Sequence, residues 1–270
     1  MRVAFTWRRE AHRDRALEML GDAARGFALD VTDRDAFARV ADEVERDFGR
    51  VHLLAANAGC GIRASVAEAS FADWDWALAV NLGGVVNAVV SWLPRLRAHG
   101  EGAHVLATAS TSGLAAGGGV GVYATTKFAV VGLVESLRDE LRGTNIGASV
   151  FCPGFVRTNL GESESLRPAR FANTVAKPST TPPSAAEAAL LAKFQQLAMD
   201  PLEAGRRALD GVRRNDLHIL THAELAPPVR ERMEALLAAF PTEPAPRGRA
   251  VAARRFLTDL YARERDRRAS

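Results

Sequence analysis

Hydrophobic and polar positions follow two patterns along the chain. Short, continuous apolar runs are separated by longer stretches in which apolar residues recur every three or four positions. The runs predict buried parallel strands, and the longer stretches predict crossover helices. The runs are Val3–Trp7, Gly26–Leu29, Val51–Ala56, His104–Ala109, Gly147–Phe151 and Leu217–Leu220. The predicted helical stretches are Ala11–Leu20, Ala36–Phe48, Phe71–Ala98, Val122–Leu141 and a longer one that ends at Arg214.

This alternation of strands and helices predicts an α/β protein with a doubly wound parallel sheet flanked by helices. Ligands of such sheets bind beyond the carboxyl ends of the strands, so functional residues are expected just after each run. Local signals support the helix boundaries. Asp33 is predicted to cap the second helix, and Asp73 is predicted to cap the helix that carries Trp74 and Trp76.

The last third of the chain is less regular than the rest. A long loop rich in Ser, Pro, Thr and Arg, then an amphipathic helix, a Pro-rich linker and a charged terminal helix are predicted. Their ranges are Gly161–Ser184, Ala185–Met199, Pro241–Arg249 and Ala250–Arg268. Long loops in compact domains are often lids. We therefore predict one domain over residues 1–240, with a lid at about 155–200, and a C-terminal linker and helix over 241–270.

Composition narrows the class of protein. With 270 residues, 47% hydrophobic residues and a net charge of +3, the chain is typical of a soluble globular protein. The 32 Arg and 3 Lys are spread along the chain, so no nucleic-acid partner is expected. No apolar run reaches the ~20 residues of a membrane span. Cys60 and Cys152 form no paired motif, and the His residues show no metal-binding spacing. We expect a cytoplasmic protein with no metal site and no membrane partner.

Ser110, Tyr123 and Lys127 are the residues most suggestive of chemistry. Ser110 ends a predicted strand, and Tyr123 and Lys127 lie four positions apart, on one face of a predicted helix. An ammonium beside a phenol favours the phenolate, so we expect the pKa of Tyr123 to be lowered. A phenol tuned in this way can exchange a proton near neutral pH. The alternative is an ordinary helix with a surface Lys and a half-buried Tyr.

The surrounding motifs resemble those of the short-chain dehydrogenase/reductase family. Ser110 precedes Tyr123 by 13 residues, which is similar to the family's spacing. The other matching motifs are Asp30-Val-Thr-Asp33 on the adenine side, Asn57-Ala-Gly59 after the next strand, Asn81 in Val80–Gly84, and Pro153-Gly-Phe-Val-Arg-Thr158. The resemblance runs from about Val3 to Leu220, and its motifs agree in order and spacing.

The resemblance implies a Rossmann-like fold and hydride transfer between a nicotinamide and an alcohol or carbonyl carbon. It makes Tyr123 the general acid/base, and Ser110 the group that stabilises the substrate oxygen. Lys127 would lower the Tyr pKa and hold the nicotinamide ribose, and Asn81 would complete the catalytic set. The hydride chemistry itself belongs to the cofactor.

The same resemblance implies a dinucleotide site. Its residues would be Arg8, Asp30, Val31, Asn57, Ala58, Gly59, Tyr123, Lys127, Pro153, Gly154, Val156 and Thr158. In the family an acid after the second strand favours NAD, whereas this position holds Trp7, followed by Arg8. An Arg there suits a 2′-phosphate, so NADP is the expected cofactor, with NAD possible.

One family feature is missing from the sequence. A glycine-rich turn normally receives the pyrophosphate at a helix N-terminus, but Val3–Trp7 is followed by Arg8, Arg9 and Glu10. The chain resembles the family from its second strand onward, as though N-terminally truncated. We therefore expect a sheet with a gap or unpaired edges at its centre. Three explanations stay open: an incomplete sequence of an ordinary reductase, a cofactor-independent isomerase or dehydratase, and a non-catalytic partner subunit.

The expected substrate is a lipophilic alcohol or ketone, because the lid supplies many apolar side chains. These are Phe155, Leu160, Leu166, Phe171, Leu190, Leu191, Phe194 and Leu197. The resemblance also implies a homodimer or homotetramer, formed through the helices that carry Asn81 and Tyr123.

Overall fold

Every predicted apolar run forms a strand in the computed structural model, which describes residues 1–173, 193, 196–244, 246–253 and 258–269. The strands are β1 (Val3–Trp7), β2 (Ala24–Ala28), β3 (Leu53–Ala56), β4 (Ala103–Thr108), β5 (Ile146–Cys152) and β6 (His218–Leu220). All of their pairings are parallel. The predicted α/β class with a parallel sheet is therefore confirmed.

The sheet is divided into two parts. β1 pairs only with β2, whereas β3, β4, β5 and β6 form a second sheet in that order, and no strand of the described residues is hydrogen-bonded to both parts. The predicted interruption of the sheet is thus confirmed. The two parts still share a hydrophobic cluster, in which Phe27 and Leu29 near β2 pack with Trp92, against Leu54 and Ala56 of β3. Side-chain packing therefore joins sheets that backbone hydrogen bonds do not.

Helices cover the sheets and connect their strands. In the first two thirds of the chain they are α1 (Glu10–Leu20), α2 (Arg34–Phe48), α3 (Phe71–Ala77), α4 (Gly84–Ala98) and α5 (Gly121–Glu140). Asp33 caps α2 as predicted, because its side chain accepts a hydrogen bond from the Ala36 backbone at 2.9 Å. The predicted cap of α3 is wrong. Ser70 occupies that position, and Asp73 lies three residues later, where it completes a reciprocal capping box.

The predicted helix Phe71–Ala98 contains a wider turn. A π-helical segment, Leu78–Gly83, joins α3 to α4, and such segments are often found at functional sites. Among the described residues, the 28 residues Phe71–Ala98 form the one helical stretch that is long and apolar enough to cross a membrane. By length and composition, the expectation that no apolar run reaches the length of a membrane span is therefore wrong. Half of its most apolar window is buried inside the protein, as in a core helix.

The interior of the larger sheet fixes the position of α5. Val105 and Ala107 of β4 are fully buried, and Val130 and Val134 of α5 pack into the same cluster. These contacts remove apolar surface from water, worth about 25 cal/mol per Å². They hold α5 against the sheet, with its first turns beside the carboxyl end of β4.

The C-terminal part differs from the prediction in one respect. It contains α6 (Pro201–Arg213), α7 (Ala226–Ala238), α8 (Arg247–Ala253) and α9 (Leu260–Ala269). The single helix predicted over Ala250–Arg268 is wrong, because residues 258 and 259 are not helical and the Thr258 hydroxyl accepts from the Leu260 backbone at the start of α9. The helix predicted over Ala185–Met199 lies largely outside the described residues, as do Leu190, Leu191 and Phe194.

Candidate active site

Ser110, Tyr123 and Lys127 meet at the carboxyl end of β4. Ser110 follows that strand in extended conformation, while Tyr123 and Lys127 occupy the first two turns of α5. Ser110 forms a hydrogen bond with the Tyr123 side chain. The Lys127 Nζ lies 5.5 Å from the centre of the Tyr123 ring and donates to the Thr108 carbonyl at 2.9 Å. The structure thus brings the three residues together, and it does not support the alternative of a surface lysine.

The electrostatics of this group differ from the sequence-based expectation. The pKa of Tyr123 is raised rather than lowered, because burial penalises the phenolate more than the hydrogen bond from Ser110 favours it. Burial also lowers the pKa of Lys127 to about 8. The ammonium lies against the ring and donates to a main-chain carbonyl, so desolvation outweighs its attraction for the phenolate. Tyr123 is therefore a protonated donor at neutral pH.

Asn81 ties three parts of the site together. It lies in the π-helical segment and is completely buried. Its Oδ1 accepts from the Cys60 backbone at 2.8 Å, and its Nδ2 donates to the Cys60 carbonyl at 3.0 Å and to the Thr126 hydroxyl at 3.1 Å. Thr126 in turn donates to the Tyr123 carbonyl at 2.7 Å. The side chain therefore fixes the turn after β3 relative to α5.

Asn57, Ala58 and Gly59 form the turn directly after β3, beside this group. Asn57 accepts a hydrogen bond from the Thr108 hydroxyl at 2.9 Å. A Cβ at Gly59 would lie 3.2 Å from the Asn81 Oδ1 and 3.6 Å from the Lys127 Nζ. Glycine therefore lets the turn after β3 approach the Asn81 side chain and the Lys127 ammonium closely.

The segment Pro153–Thr158 leaves the neighbouring strand β5 at the same end. The Gly154 backbone donates to the Thr221 hydroxyl at 3.1 Å, and a Cβ at Gly154 would lie 2.7 Å from the His222 ring. Val156 forms a parallel bridge with Met199. Thr158 uses its hydroxyl to accept from the Leu160 backbone at 3.3 Å. These residues are therefore held by local contacts near the predicted nicotinamide end.

The residues predicted for the adenosine end contact other parts of the chain. Arg8 donates to the Leu166 carbonyl at 2.6 Å, and Asp30 is paired with Arg170 at 2.8 Å. Val31 lies under α4, where its carbonyl accepts from Asn87 at 2.8 Å. Leu166 and Arg170 belong to residues 159–171, which form two short 3-10 turns and which we name the closing segment.

The two ends of the predicted dinucleotide site therefore differ in fit. At the nicotinamide end, Ser110, Tyr123 and Lys127 offer two hydroxyls and an ammonium beside the turn at Gly59, and these polar groups suit a nicotinamide ribose. At the adenosine end the matching side chains are engaged by the closing segment, and no glycine follows β1 to admit a pyrophosphate. The residues present fit the nicotinamide half, and they fit the adenosine half only if the contacts of the closing segment change.

Sequence reasoning missed the closing segment as a partner of the predicted cofactor residues. Arg167 is its buried anchor: it pairs with Asp73 at 2.6 Å and stacks over Trp76 at 4.5 Å. The sequence feature that could have indicated this contact is Asp73, because an acid on the buried face of a helix needs a charged or polar partner. The bridging role of Thr126 was also missed, because a Thr on a helix has no distinctive spacing.

Comparison with known proteins shows the family to which the chain belongs. The family model for short chain dehydrogenases matches residues 1–168. The C alpha-dehydrogenase of Sphingobium sp. is 33% identical over 253 residues, which cover 93% of this chain and 80% of that protein. The chain belongs to the short-chain dehydrogenase family, and the names of its relatives support oxidoreductase activity in general.

Solved structures show the same fold. A short chain dehydrogenase/reductase from Burkholderia phymatum in complex with NAD is 30% identical, with a TM-score of 0.79 over 91% of this chain and 89% of that one. A short-chain dehydrogenase from Novosphingobium aromaticivorans is 34% identical, with a TM-score of 0.79 over 98% of this chain and 88% of that one. The Rossmann-like fold predicted from the sequence is confirmed.

Proposed function

We propose that this protein is an NADP-dependent oxidoreductase that interconverts a lipophilic secondary alcohol and its ketone, with Tyr123 as general acid/base. The observation that supports the proposal is the meeting of half-buried Ser110 and Tyr123 with buried Lys127 at the carboxyl end of β4. That edge of a parallel sheet is where ligands of this fold bind.

In ketone reduction, a nicotinamide held by Tyr123, Lys127 and the turn at Gly59 would supply the hydride chemistry. The Tyr123 hydroxyl donates its proton to the substrate oxygen, and the Ser110 hydroxyl donates a hydrogen bond to the same oxygen. Lys127 remains mainly an ammonium at neutral pH, because its pKa is about 8. Its positive charge therefore stabilises the negative charge that develops on the Tyr123 oxygen.

The choice of NADP rests on Arg8. Arg8 directly follows β1, at the position where a cation suits the 2′-phosphate, and Arg9 adds a second positive charge. The Burkholderia neighbour was crystallised with NAD, so NADH is the necessary comparison in any binding experiment.

The lipophilic substrate is inferred from exposed apolar side chains of the lid. Phe155, Leu160 and Leu197 are 57%, 38% and 71% exposed. Apolar pockets with few polar groups are typical of small-molecule sites. Family members bind small molecules and often assemble into oligomers, and we propose a homodimer or homotetramer here. A cytoplasmic location stays a prediction.

The proposal is tested with the purified protein, NADPH or NADH, and a panel of aryl and alkyl ketones. We expect NADPH consumption with at least one ketone and its loss in Tyr123→Phe. Tyr261→Phe is a matched control, because it removes the hydroxyl of the chain's other tyrosine. That hydroxyl lies outside the site and donates a hydrogen bond of 2.8 Å to Glu135. Equal turnover in wild type and Tyr123→Phe would contradict the assigned role.

A second candidate is a cofactor-independent acid/base enzyme, such as an isomerase or dehydratase. It is favoured by the contacts that engage Arg8 and Asp30 with the closing segment. Substrate conversion without any dinucleotide, lost in Tyr123→Phe, would support it over the reductase. Absence of both activities, with copurification of a homologue, would support a non-catalytic partner subunit.

A further inference from the structure

The closing segment is held across the carboxyl ends of β1 and β2 by several polar contacts. Arg8 and Arg9 donate to the carbonyls of Leu166 and Ser165, at 2.6 and 3.4 Å. On its other side, the Gly61 backbone donates to the Ser163 hydroxyl at 2.8 Å. The segment thus spans the distance from β1 to the turn after β3, which is the width of the interrupted part of the sheet.

Asp30 accepts three hydrogen bonds within the chain. Its Oδ1 accepts from the Thr32 backbone at 3.0 Å and from the Thr32 hydroxyl at 2.8 Å, while its Oδ2 accepts from Arg170 at 2.8 Å. Arg170 also donates to the Thr32 hydroxyl at 2.6 Å. Burial acts to raise the pKa of Asp30, but these hydrogen bonds together lower it. The carboxylate is therefore charged and paired.

We propose that Arg170 is an affinity-determining residue of the dinucleotide site, because its guanidinium pairs with the Asp30 Oδ2 and competes there with the amino group of a bound adenine. The adenine N6 group is a hydrogen-bond donor and needs an acceptor of this kind. This inference rests on the proposed dinucleotide-dependent function and deepens it.

Arg170 is the contact of the closing segment that is best placed to open. Its side chain is 53% exposed, whereas the side chain of Arg167 is 6% exposed and its partner Asp73 is fully buried. An exposed ion pair contributes little net stability, while a broken buried pair leaves an uncompensated charge. The segment can therefore stay anchored through Arg167 while Arg170 exchanges its partner.

The experiment measures dinucleotide affinity in the full-length chain, by the fluorescence of NADPH and separately of NADH. We expect Arg170→Gln to bind both about threefold more tightly than wild type, the size expected for release of an exposed ion pair. Both cofactors carry the same adenine, so both should gain. Arg213→Gln is the control: Arg213 forms a more exposed pair with Asp210 in α6, and the substitution should leave both affinities unchanged.

A double-mutant cycle with Asp30→Asn separates this mechanism from a general loosening of the segment. In the Asp30→Asn background, Arg170→Gln should bring no further gain, because the carboxylate that it pairs with is already gone. A threefold gain that persists in that background would overturn the proposal. Hydrogen exchange offers a readout independent of affinity: amides near Arg170 should exchange faster after NADPH is added, and unchanged exchange would also overturn the proposal.

The outcomes separate the two levels of the argument. If wild type and Arg170→Gln bind NADPH with equal affinity, the role of Arg170 is wrong and the oxidoreductase proposal stands. If neither protein binds NADPH or NADH at concentrations that saturate ordinary dehydrogenases, the dinucleotide-dependent function is wrong, and the role of Arg170 is wrong with it.

Discussion

The Ser110–Tyr123–Lys127 group and the carboxyl ends of β1 and β2 form the two ends of one predicted site, and they are built differently. The first lies on the larger sheet and on α5, within a continuous hydrophobic core. The second lies on a two-stranded sheet that has no strand hydrogen-bonded to the larger sheet in the described part of the chain. The residues of the proposed catalytic group already lie together, whereas the residues at the other end are engaged by the closing segment.

The difference shows that side chains suited to chemistry and side chains suited to binding depend on different parts of the fold. A four-residue spacing on a buried helix suffices to place Tyr123 and Lys127 together. A dinucleotide site also needs main-chain groups that approach phosphates closely, and the turn after β1 has no glycine to provide them. The catalytic end can therefore be complete while the adenosine end binds part of its own chain.

Removing the phenol hydroxyl at the catalytic end should have the largest effect. Tyr123→Phe is expected to lower kcat about 100- to 10,000-fold, the range for loss of a general acid. Steady-state kinetics with NADPH and a ketone substrate measure it, with Tyr261→Phe as the control. A change in KM alone would place Tyr123 in binding rather than in proton transfer.

The anchor of the closing segment should be the most sensitive point for stability. Asp73→Asn removes the charged partner of Arg167, and both side chains are buried, so we expect a loss of about 3 kcal/mol in the free energy of unfolding. Denaturant titration measures the loss. Asp210→Asn, at the exposed pair with Arg213, should change stability by less than about 0.5 kcal/mol. Similar losses in both variants would argue against a buried anchor.

The buried charge of Lys127 should lower the free energy of unfolding. Its pKa falls from 10.5 in the unfolded chain to about 8 in the folded protein. Between these pH values the folded state binds fewer protons than the unfolded state. The stability of the wild type should therefore rise as the pH increases from 8 to 10.5. Below pH 8 the buried charge has its full cost, about 3 kcal/mol. Lys127→Met should therefore be more stable at pH 7 by about that amount and lose its catalytic activity.

Thermal or chemical unfolding at several pH values provides the check on Lys127. The advantage of Lys127→Met should shrink as the pH approaches 10.5, because wild-type Lys127 is then neutral in the folded state and is losing its proton in the unfolded state. An advantage that does not vary with pH would mean that packing, rather than charge, causes it. Lys193→Met is a control at an exposed lysine and should show no such dependence.

Arg8 at the adenosine end should have the smallest and most selective effect. Arg8→Gln removes a cation expected to meet a 2′-phosphate, so the Kd for NADPH should rise about tenfold, as for loss of one charge-assisted hydrogen bond. The Kd for NADH should change less than about twofold, because NADH lacks that phosphate. Arg2→Gln is the control, since Arg2 bonds the Asp47 carbonyl at the opposite end of β1. Equal losses for both cofactors would remove the basis for NADP preference.

Much of the fold could be predicted from local pattern. Continuous apolar runs mark strands covered on both faces, and β1 coincides with its predicted range. The interrupted sheet also followed from sequence, because the residues after Trp7 resemble those after the family's second strand. The division of Phe71–Ala98 by a π-helical turn could not be predicted, since that turn depends on how Asn81 bonds Cys60 and Thr126 across the fold.

Within the site, the identities of Ser110, Tyr123, Lys127 and Asn81 could be proposed from sequence, but the electrostatics could not. Helical spacing places a charge near a phenol, yet the sign of the pKa shift depends on burial, which raises the pKa of Tyr123. The engagement of Asp30 by Arg170 joins residues 140 positions apart, and no local pattern relates them.

The order of strands and helices, the family resemblance and the four residues proposed as a catalytic group could all be read from the sequence alone. These depend on spacing and residue type, which are properties of neighbouring positions. Three features emerge only in the folded molecule. Side-chain packing joins the two sheets, the pKa of Tyr123 is raised, and Arg170 pairs with Asp30. Burial and long-range pairing set these outcomes, because desolvation and hydrogen-bond geometry depend on groups that the chain brings together only when it folds.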